Sequence, residues 1–336
     1  MENTKQKISI RRRQTLREAL PSWFLLIALI IMGLIFYSLN KRIYSNRSIN
    51  NILATASFSG IISLGLMMVM TTGTFDLSIA MKAALAASVV GYMCKDGTDG
   101  IYVQSIIIGL LVAGLAGVVH GFLSVTLGIP GFIAALSLRF ILQGIIALLS
   151  NNTIFYSNEW GNRFKVLGQG KLGIIPYPFF IFIGFAILCW IFMERTRTGR
   201  HIYATGANIT AARQAGIKVS WMQYLSFIIG GMIAGVGGIL FSSRNFNISY
   251  NIGLDLQMPS MTCCLLGATF FEPGKYNVPG CVLGSIFVSL LTTGIFSVVI
   301  SSPWLNSTLQ GVAFLAALAI IAKTKENGLS KVEFDL

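Results

Sequence analysis

Apolar runs of membrane-spanning length follow one another along almost the whole chain. A transmembrane helix needs about 20 mainly apolar residues, and ten runs approach that length, some of them short enough for broken or re-entrant helices. They cover residues 23–39, 52–72, 77–94, 103–126, 131–150, 177–193, 221–242, 257–271, 278–299 and 308–322. Backbone polar groups need internal partners in lipid. The sequence therefore predicts an all-α integral membrane protein with about ten transmembrane helices.

The composition agrees with this class. Hydrophobic residues make up 54% of the chain and charged residues only 11%, whereas an average soluble domain carries about 25% charged residues. We therefore expect one transmembrane domain over residues 23–322. A polar segment over 1–22 and a tail over 323–336 flank it.

The basic residues predict the orientation in the membrane. An even number of spans places both termini on one side. On that side the N-terminal segment, the loop 194–220, Lys275 and the C-terminal tail together hold 15 Lys and Arg, against 8 in the opposite loops. The positive-inside tendency then predicts cytoplasmic termini. The net charge of +13 is explained by this topology, since the cations are dispersed and no nucleic-acid-binding motif accompanies them.

A polar, basic loop over 194–220 separates two apolar runs. Asn208 is suited to cap a helix of about two turns, and Gly216 is suited to close it. Two interpretations remain open: an ordinary positively charged cytoplasmic loop, or a helix whose small-residue face docks into a groove of another protein. The cap, the small face and the closing glycine favour docking. The small residues and the cations are Ala211, Ala212, Ala215, Arg195, Arg197, Arg200 and Arg213.

A second polar stretch, T-T-G-T-F-D-L-S-I-A at residues 71–80, interrupts two apolar runs and predicts a broken helix. Asp76 is suited to cap a helix that begins at Leu77. Alternatively, the unwound backbone with Thr72, Asp76 and Ser78 lines a pathway for a hydroxyl-rich solute, as broken helices do in transporters. Both interpretations remain open.

Other polar residues within the spans need protein or water around them. A lipid-facing cation costs at least about 2.5 kcal/mol, so Lys82 and Arg139 are predicted to face protein, water or the interface. His120, in a glycine-rich run, is predicted to form interhelical hydrogen bonds and not to act in catalysis. The five cysteines, without metal-ligand spacing, are predicted to be free buried thiols.

Sequence motifs for chemistry are missing. The chain contains no G-x-x-x-x-G-K-[ST] phosphate loop, so we expect it to bind no ATP and any ATP energy to come from a partner. No H-E-x-x-H metal site and no G-x-S-x-G elbow occur either, so we expect a protein that is not an enzyme.

Three stretches resemble the permease subunits of bacterial ribose-type ABC importers, which carry simple sugars and the furanosyl signal autoinducer-2. T-G-T-F-D-L-S-I-A at 72–80 is similar to the family's T-G-G-I-D-L-S-V-G. Residues 195–217 are similar to its T-R-x-G-R-x-I-Y-A-x-G-x-N-x-x-A-A-x-x-x-G-I, the most specific of the three. Residues 266–280 occupy the place of its L-G-G-T-S-L-x-G-G-x-G loop. The resemblance extends from about residue 45 to 323.

The resemblance implies a permease that imports a monosaccharide or small polyol by alternating access in the bacterial inner membrane. Its implied partners are a separate ATPase, a second permease that is identical or diverged, and an extracytoplasmic sugar-binding protein. The residues implied to couple to the ATPase are Arg200, Gly206, Asn208, Ala211, Ala212, Arg213 and Gly216. The residues expected to line the substrate pathway are Thr72, Gly73, Asp76, Ser78 and Gln143.

Departures from the family pattern leave the substrate open. Thr74 and Ala80 replace two glycines of the first motif, Gln143 stands where many relatives have Arg, and His120 stands where Asn is common. Three alternatives are kept: an importer of autoinducer-2, an ion-coupled secondary transporter that uses Asp76, and a receptor permease that holds a binding protein without transport.

Overall fold

The computed structural model of the protein describes residues 23–94 except Phe24, 102–150, 155–156, 162–249, 251–298 except Pro273, and isolated helical positions between 308 and 319. The predicted terminal segments 1–22 and 323–336 lie outside the described residues, as does most of the predicted tenth span.

Helices dominate the described part of the chain. Their bounds are α1 Leu25–Leu39, α2 Asn46–Thr71, α3 Ile79–Cys94, α4 Tyr102–Gly121, α5 Gly131–Leu149, α6 Asn162–Gln169, α7 Tyr177–Trp190, α8 Arg197–Ala207, α9 Ile209–Gln214, α10 Val219–Asn245, α11 Ile252–Gly267 and α12 Val278–Val298. Short π-helical segments, Phe122–Thr126 and Ile191–Arg195, extend α4 and α7. A 3₁₀ turn, Lys41–Tyr44, precedes α2.

Two small antiparallel strand pairs accompany the helices. β1 (Phe155–Tyr156) pairs with β4 (Asn247–Ile248), and β2 (Lys171–Leu172) pairs with β3 (Ile175–Pro176). Because each strand has only two residues, the pairs fix the loops at the ends of the helices and add little to the core.

The predicted all-α membrane class is confirmed, but the predicted number of about ten spans is not. In the described residues, six helices are long and apolar enough to cross a membrane: Asn46–Thr71, Tyr102–Thr126, Gly131–Leu149, Tyr177–Arg195, Val219–Asn245 and Val278–Ser297. The apolar helices α1 and α3 are shorter. The span predicted from residue 52 begins earlier, at Asn46, because the Ser45 side chain accepts a hydrogen bond from the Ser48 amide and caps a polar first turn.

The core lies around α2 and α10. The most apolar window of α2 is 89% buried and that of α10 is 67% buried, against 28% for those of α5 and α7, which therefore face outwards. Glycines permit the close contacts at the centre. A Cβ atom at Gly117 would collide with the Phe227 carbonyl, and one at Gly231 would lie 2.7 Å from the Ala113 carbonyl oxygen.

Hydrogen bonds place several connections on the same face of the molecule. Tyr203 Oη donates to the Tyr276 carbonyl at 3.0 Å, which joins α8 to the α11–α12 connection. The hydroxyls of Thr126 and Tyr224 lie 2.6 Å apart, which joins the end of α4 to the start of α10. We call this face, with residues 196–218 at its centre, the loop-194 face.

The opposite face is held by the first turns of α2 and the last turn of α10. Arg244 Nη2 donates to Asn50 Oδ1 at 3.0 Å, and Asn50 Nδ2 donates to the Ile174 carbonyl at 2.9 Å. Gln169 Nε2 donates to the Arg244 carbonyl at 3.0 Å. We call this face the α2-start face.

Candidate functional site

The predicted broken helix lies between α2 and α3. The last turn of α2 is closed by Thr72 Oγ1, which donates to the Val69 carbonyl at 2.7 Å. Gly73 then has a φ of +81°, a left-handed conformation that glycine adopts without steric cost. α3 begins at Ile79, two residues later than the predicted start at Leu77. The break is therefore two residues longer than predicted.

Asp76 organises the start of α3 from just outside the helix. The Ser78 carbonyl accepts the amide of Lys82 at 3.0 Å, so helical hydrogen bonding begins at Ser78. Asp76 Oδ1 accepts bonds from the Ser78 amide at 2.8 Å and from its hydroxyl at 2.6 Å. Asp76 therefore satisfies backbone and side-chain donors at the start of the helix, as its predicted capping role required, while the N-cap position itself belongs to Ser78.

A buried charge cluster forms around this carboxylate. Lys82 Nζ lies 2.6 Å from Asp76 Oδ2, and His120 Nδ1 of α4 lies 3.2 Å from Lys82 Nζ and 3.3 Å from Asp76 Oδ1. All three residues are 0% exposed. Lys82, which was predicted to face protein, water or the interface, faces protein, and His120 makes the predicted interhelical contact. A buried charge is tolerated only when it is paired and hydrogen-bonded, and Asp76 and Lys82 meet both conditions.

An aromatic ring covers the cluster. The ring centroids of His120 and Phe227 of α10 lie 4.1 Å apart, and Lys82 Nζ lies 5.5 Å from the Phe227 centroid. The imidazole and the ammonium group thus share one aromatic neighbour, and the latter distance suits a cation–π interaction. His120 Nε2 has no hydrogen-bond partner within the described part of the chain.

Four of the five predicted pathway residues come together at the break. Thr72, Asp76 and Ser78 are 0% exposed and Gly73 is half-buried, so the cluster is closed in this conformation. Gln143 lies elsewhere: it is half-buried on α5, twelve residues beyond Gly131, or about 18 Å along that helix. The start of α5 lies near the break: a Cβ atom at Gly131 would lie 3.5 Å from the Phe75 carbonyl oxygen, and the Phe132 and Phe75 ring centroids lie 6.0 Å apart.

The predicted short helix in the basic loop is present as α9. Asn208 has an extended backbone, and its Oδ1 accepts the Ala211 amide at 2.8 Å. Gly216 follows with a φ of +80°. The Gly216 amide donates to the Arg213 carbonyl at 3.1 Å and the Ile217 amide donates to the Ala212 carbonyl at 3.0 Å. This pair of bonds is the Schellman arrangement, in which a left-handed glycine ends the helix.

The exposed face of α9 differs from the predicted small-residue face in one position. Ala211 and Ala215 are exposed and lie four residues apart on one side of the helix, with Arg213 also exposed. Ala212 is only 4% exposed and packs inside the protein. The helical period explains the difference, because one residue turns the side chain by about 100° away from Ala211. Ala212 therefore belongs to the inner face of α9.

α8 rests directly on the broken helix. A Cβ atom at Gly206 would collide with the Thr71 carbonyl, and a Cβ atom at Gly73 would lie 3.8 Å from Gly206 Cα. The chain continues from Gly206 into the Asn208 cap of α9, so one short segment joins the surface helix to the break. Arg200, earlier in α8, is exposed, and its Nη1 donates to the Arg195 carbonyl at 3.3 Å.

A second contact on the loop-194 face was not foreseen from the sequence. Lys275 Nζ lies 2.9 Å from Glu272 Oε2, 3.7 Å from Glu194 Oε1 and 4.4 Å from the centroid of the Tyr203 ring. Burial, followed by the charge of Glu194, raises the pKa of the Tyr203 phenol, which stays protonated and donates to the Tyr276 carbonyl. The only sequence signal was the spacing of Glu272 and Lys275, which suits a local ion pair.

The cysteines are buried, as predicted, and none forms a disulfide. Among the described residues, no group of three His, Cys, Asp or Glu side chains is suited to hold a metal ion.

Comparisons with known proteins agree with this arrangement. The sequence profile of the family described as the permease component of branched-chain amino acid transport systems matches residues 48–318, most of the chain. The chain belongs to this family. It is a family of transport permeases and not of enzymes, and similarity to ribose and autoinducer 2 import permeases supports a ribose-type ABC importer permease.

Three similar proteins show which permeases these are. An autoinducer 2 import system permease of Photorhabdus luminescens is 27% identical over 295 residues, 87% of each chain. A ribose import permease of Escherichia coli is 26% identical over 329 residues, 94% of this chain and 98% of the relative. A ribose import permease of Bacillus subtilis is 25% identical over 297 residues, 88% and 91% of the two chains. No solved structure matches the chain.

Proposed function

We propose that this chain forms the translocation pathway of an ATP-driven importer for a monosaccharide or a related small polyol. The observation that carries the coupling mechanism is the direct packing of Gly206 on the Thr71 carbonyl, which connects an exposed, doubly capped surface helix to a broken membrane helix. The ribose and autoinducer 2 permeases among the relatives support the class of solute.

In the proposed mechanism, a separate ATPase receives the outer face of α9 in a groove. Ala211 and Ala215 let the helix approach closely, and exposed Arg213 supplies charge. When the ATPase closes, α9 moves as a rigid unit because both of its ends are fixed by hydrogen bonds. The displacement reaches the α2–α3 break through α8 and changes access to the pathway. The chain binds no ATP or other cofactor in this scheme, since ATP is used by the partner.

The proposed assembly contains two permeases, identical or diverged, together with ATPase subunits on the loop-194 face and a sugar-binding protein on the α2-start face. The loop-194 face is cytoplasmic in this arrangement, in agreement with its excess of Lys and Arg. Ten membrane segments then place both termini in the cytoplasm: the six long helices, the shorter α1, α3 and α11, and a segment within 308–322. Residues 1–22 and 323–336 lie outside the membrane.

Autoinducer 2 is the second candidate substrate, and the Photorhabdus luminescens relative favours it. The ion-coupled alternative relied on Asp76 as a free carboxylate. Asp76 is paired with Lys82 at 2.6 Å, and this internal counter-ion weighs against a vacant cation site there. The receptor alternative predicts binding-protein capture without solute uptake.

The test begins with purification of this protein from gently solubilised membranes and identification of the proteins that copurify. We expect an ATPase subunit, and a diverged second permease if the assembly is a heterodimer. The purified complex is then reconstituted with its binding protein, and uptake of ribose, other monosaccharides and autoinducer 2 is measured with ATP and with a non-hydrolysable analogue.

Ala215→Arg tests the docking face, because it adds bulk on the exposed side of α9 without touching the core. We expect the variant to insert normally but to lose ATPase copurification and uptake. Lys218→Gln, at an exposed position just beyond α9, is the matched surface control. Uptake driven by an ion gradient in liposomes without the ATPase would overturn the proposal.

A further inference from the structure

A polar cavity of about 750 Å³ opens on the α2-start face. It lies between the first turns of α2, the β2–β3 hairpin, the end of α10 and the outer part of α12. Binding sites for small molecules have volumes of about 300 to 1,000 Å³, so the cavity has room for a monosaccharide. It is separate from the α2–α3 break, which lies towards the loop-194 face.

Three cations from three different elements line this cavity: Arg47 of α2, Lys171 of β2 and Arg244 of α10. None of the described lining residues is acidic, and no described ion pair involves any of the three cations. Like charges brought together in this way repel one another, and a bound anion relieves that repulsion. The charge pattern therefore selects for a negatively charged ligand.

Arg244 is held in a fixed position. Its Nη2 donates to Asn50 Oδ1 at 3.0 Å, and the same Asn50 donates through Nδ2 to the Ile174 carbonyl at 2.9 Å. Gln169 holds the main chain of Arg244 from the other side at 3.0 Å. A guanidinium group has five N–H donors, and Asn50 uses one of them. Donors therefore remain for a bidentate bond to a carboxylate or phosphate, with little side-chain entropy left to lose on binding.

The other polar lining residues suit the hydroxyl groups of a sugar. Asn46 and Asn51 are exposed at the cavity, and an amide side chain both donates and accepts hydrogen bonds. Arg244 is half-buried while Arg47 and Lys171 are exposed. A small solute that enters the cavity can reach half-buried Arg244, whereas an acidic side chain on a flat protein surface meets the exposed Arg47 and Lys171 first.

We propose that this cavity binds an anionic monosaccharide, with its carboxylate or phosphate group on Arg244 and its hydroxyls on the asparagines. This inference rests on the proposed function, since it names the chemical class of solute that the importer takes from the α2-start face. The proposal also predicts that the solute of this chain is not a neutral sugar, because the three cations offer a neutral sugar no charge-assisted contact.

The experiment measures direct binding to the purified complex in lipid nanodiscs, without ATP and without a binding protein. The probes are galacturonate and ribose 5-phosphate, each compared with its neutral counterpart, galactose or ribose. We expect saturable binding of at least one anionic probe and at least about 10-fold weaker binding of its neutral counterpart, because a charge-assisted bidentate contact contributes about that factor or more. The two anionic probes distinguish a carboxylate from a phosphate ligand.

Arg244→Gln should weaken binding of the anionic probe about 10-fold or more, and Lys171→Gln should weaken it by a smaller factor. Arg244→Lys keeps the charge and should restore part of the affinity. Arg42→Gln, which removes an exposed cation of the same face that does not line the cavity, is the control and should bind as the unaltered protein does. Each variant is first checked for monodispersity and thermal stability.

Equal affinity for galacturonate and galactose, and for ribose 5-phosphate and ribose, overturns the proposal. So does an anion affinity that Arg244→Gln and Lys171→Gln both leave unchanged. Capture of an acidic binding protein through these cations, without binding of either anionic probe, also overturns it. ATP-dependent uptake of a neutral sugar alongside any of these results leaves the proposed function intact, so the two proposals fail separately.

Discussion

Lys82→Met removes the only Lys or Arg side chain that pairs with Asp76 in the described structure. The methionine chain nearly fills the volume of the lysine chain, so the main change is electrostatic. Asp76 keeps its two bonds from Ser78 and its contact with His120 at 3.3 Å, but its carboxylate stays 0% exposed. Removal of one partner from a buried ion pair costs about 3 to 5 kcal/mol. The retained bonds place our expectation at the lower end, about 3 kcal/mol of unfolding free energy.

The double variant Asp76→Asn with Lys82→Met distinguishes the cost of an unpaired buried carboxylate from the cost of lost side-chain packing. Asparagine keeps an oxygen that accepts the Ser78 hydrogen bonds, and no charge remains to be desolvated. Replacement of both partners of a buried ion pair is often neutral or stabilising. We therefore expect the double variant to recover most of the stability that Lys82→Met loses, which is a coupling of about 2 kcal/mol or more between the two sites.

The buried cysteine thiols report the thermal unfolding of each variant. All five cysteines are buried, so a thiol-reactive fluorophore detects unfolding of the detergent-solubilised protein. Apparent midpoints are compared at one heating rate, because membrane proteins in detergent often unfold irreversibly. Lys41→Met, at an exposed position, is the control and should leave the midpoint unchanged. A Lys82→Met midpoint equal to that of the control, or a double variant as unstable as Lys82→Met, would refute the reasoning.

Three further predictions concern the loop-194 face. Gly206→Ala places a methyl group against the Thr71 carbonyl, so α8 must shift. We expect the variant to insert normally and its ATP-dependent uptake to fall at least about 10-fold. The control is Gly144→Ala, whose added methyl group meets nothing within 4 Å and should leave uptake unchanged. Asn208→Ala removes the α9 cap at a cost of about 1 kcal/mol; ATPase stimulation by substrate should weaken, and Asn208→Asp should restore it. Tyr203→Phe deletes the bond to the Tyr276 carbonyl and should lower the midpoint by the equivalent of about 1 kcal/mol; an unchanged midpoint contradicts that role for the hydroxyl.

Local rules predicted the local structure. The order and approximate positions of the described membrane helices follow from apolar runs, because lipid requires each run to pair its own backbone groups. The α9 helix followed from Asn208 and Gly216, because cap and stop signals act within a few residues. The break near Gly73 was also predictable from the polar residues next to it in the sequence. These features depend on neighbours in sequence, which a sequence displays directly.

Features that depend on tertiary packing were not predictable in the same way. The Asp76–Lys82 pair spans the start of α3, and His120 joins it from another helix, so no spacing rule brings the three together. The inward position of Ala212 depends on which side of α9 rests on the membrane helices. Gln143 was predicted to line the pathway because it is polar, but its distance from the break follows from where α5 meets Phe75.

In the proposed mechanism, the contacts of α8 connect the short surface helix α9 to two distant parts of the membrane domain. The start of α8 is fixed to α7 by Thr196, whose hydroxyl accepts the Gly199 amide at 3.1 Å and donates to the Phe192 carbonyl at 2.6 Å. Tyr203 ties its middle to the α11–α12 connection, and Gly206 ties its end to the α2–α3 break. In the proposed mechanism, α8 moves as one rigid segment attached at these three points, so that a displacement of α9 moves the break and the α11–α12 connection together. If α8 works in this way, Tyr203→Phe and Gly206→Ala together should reduce coupling by a factor that differs from the product of the two single effects, because both act on one rigid element.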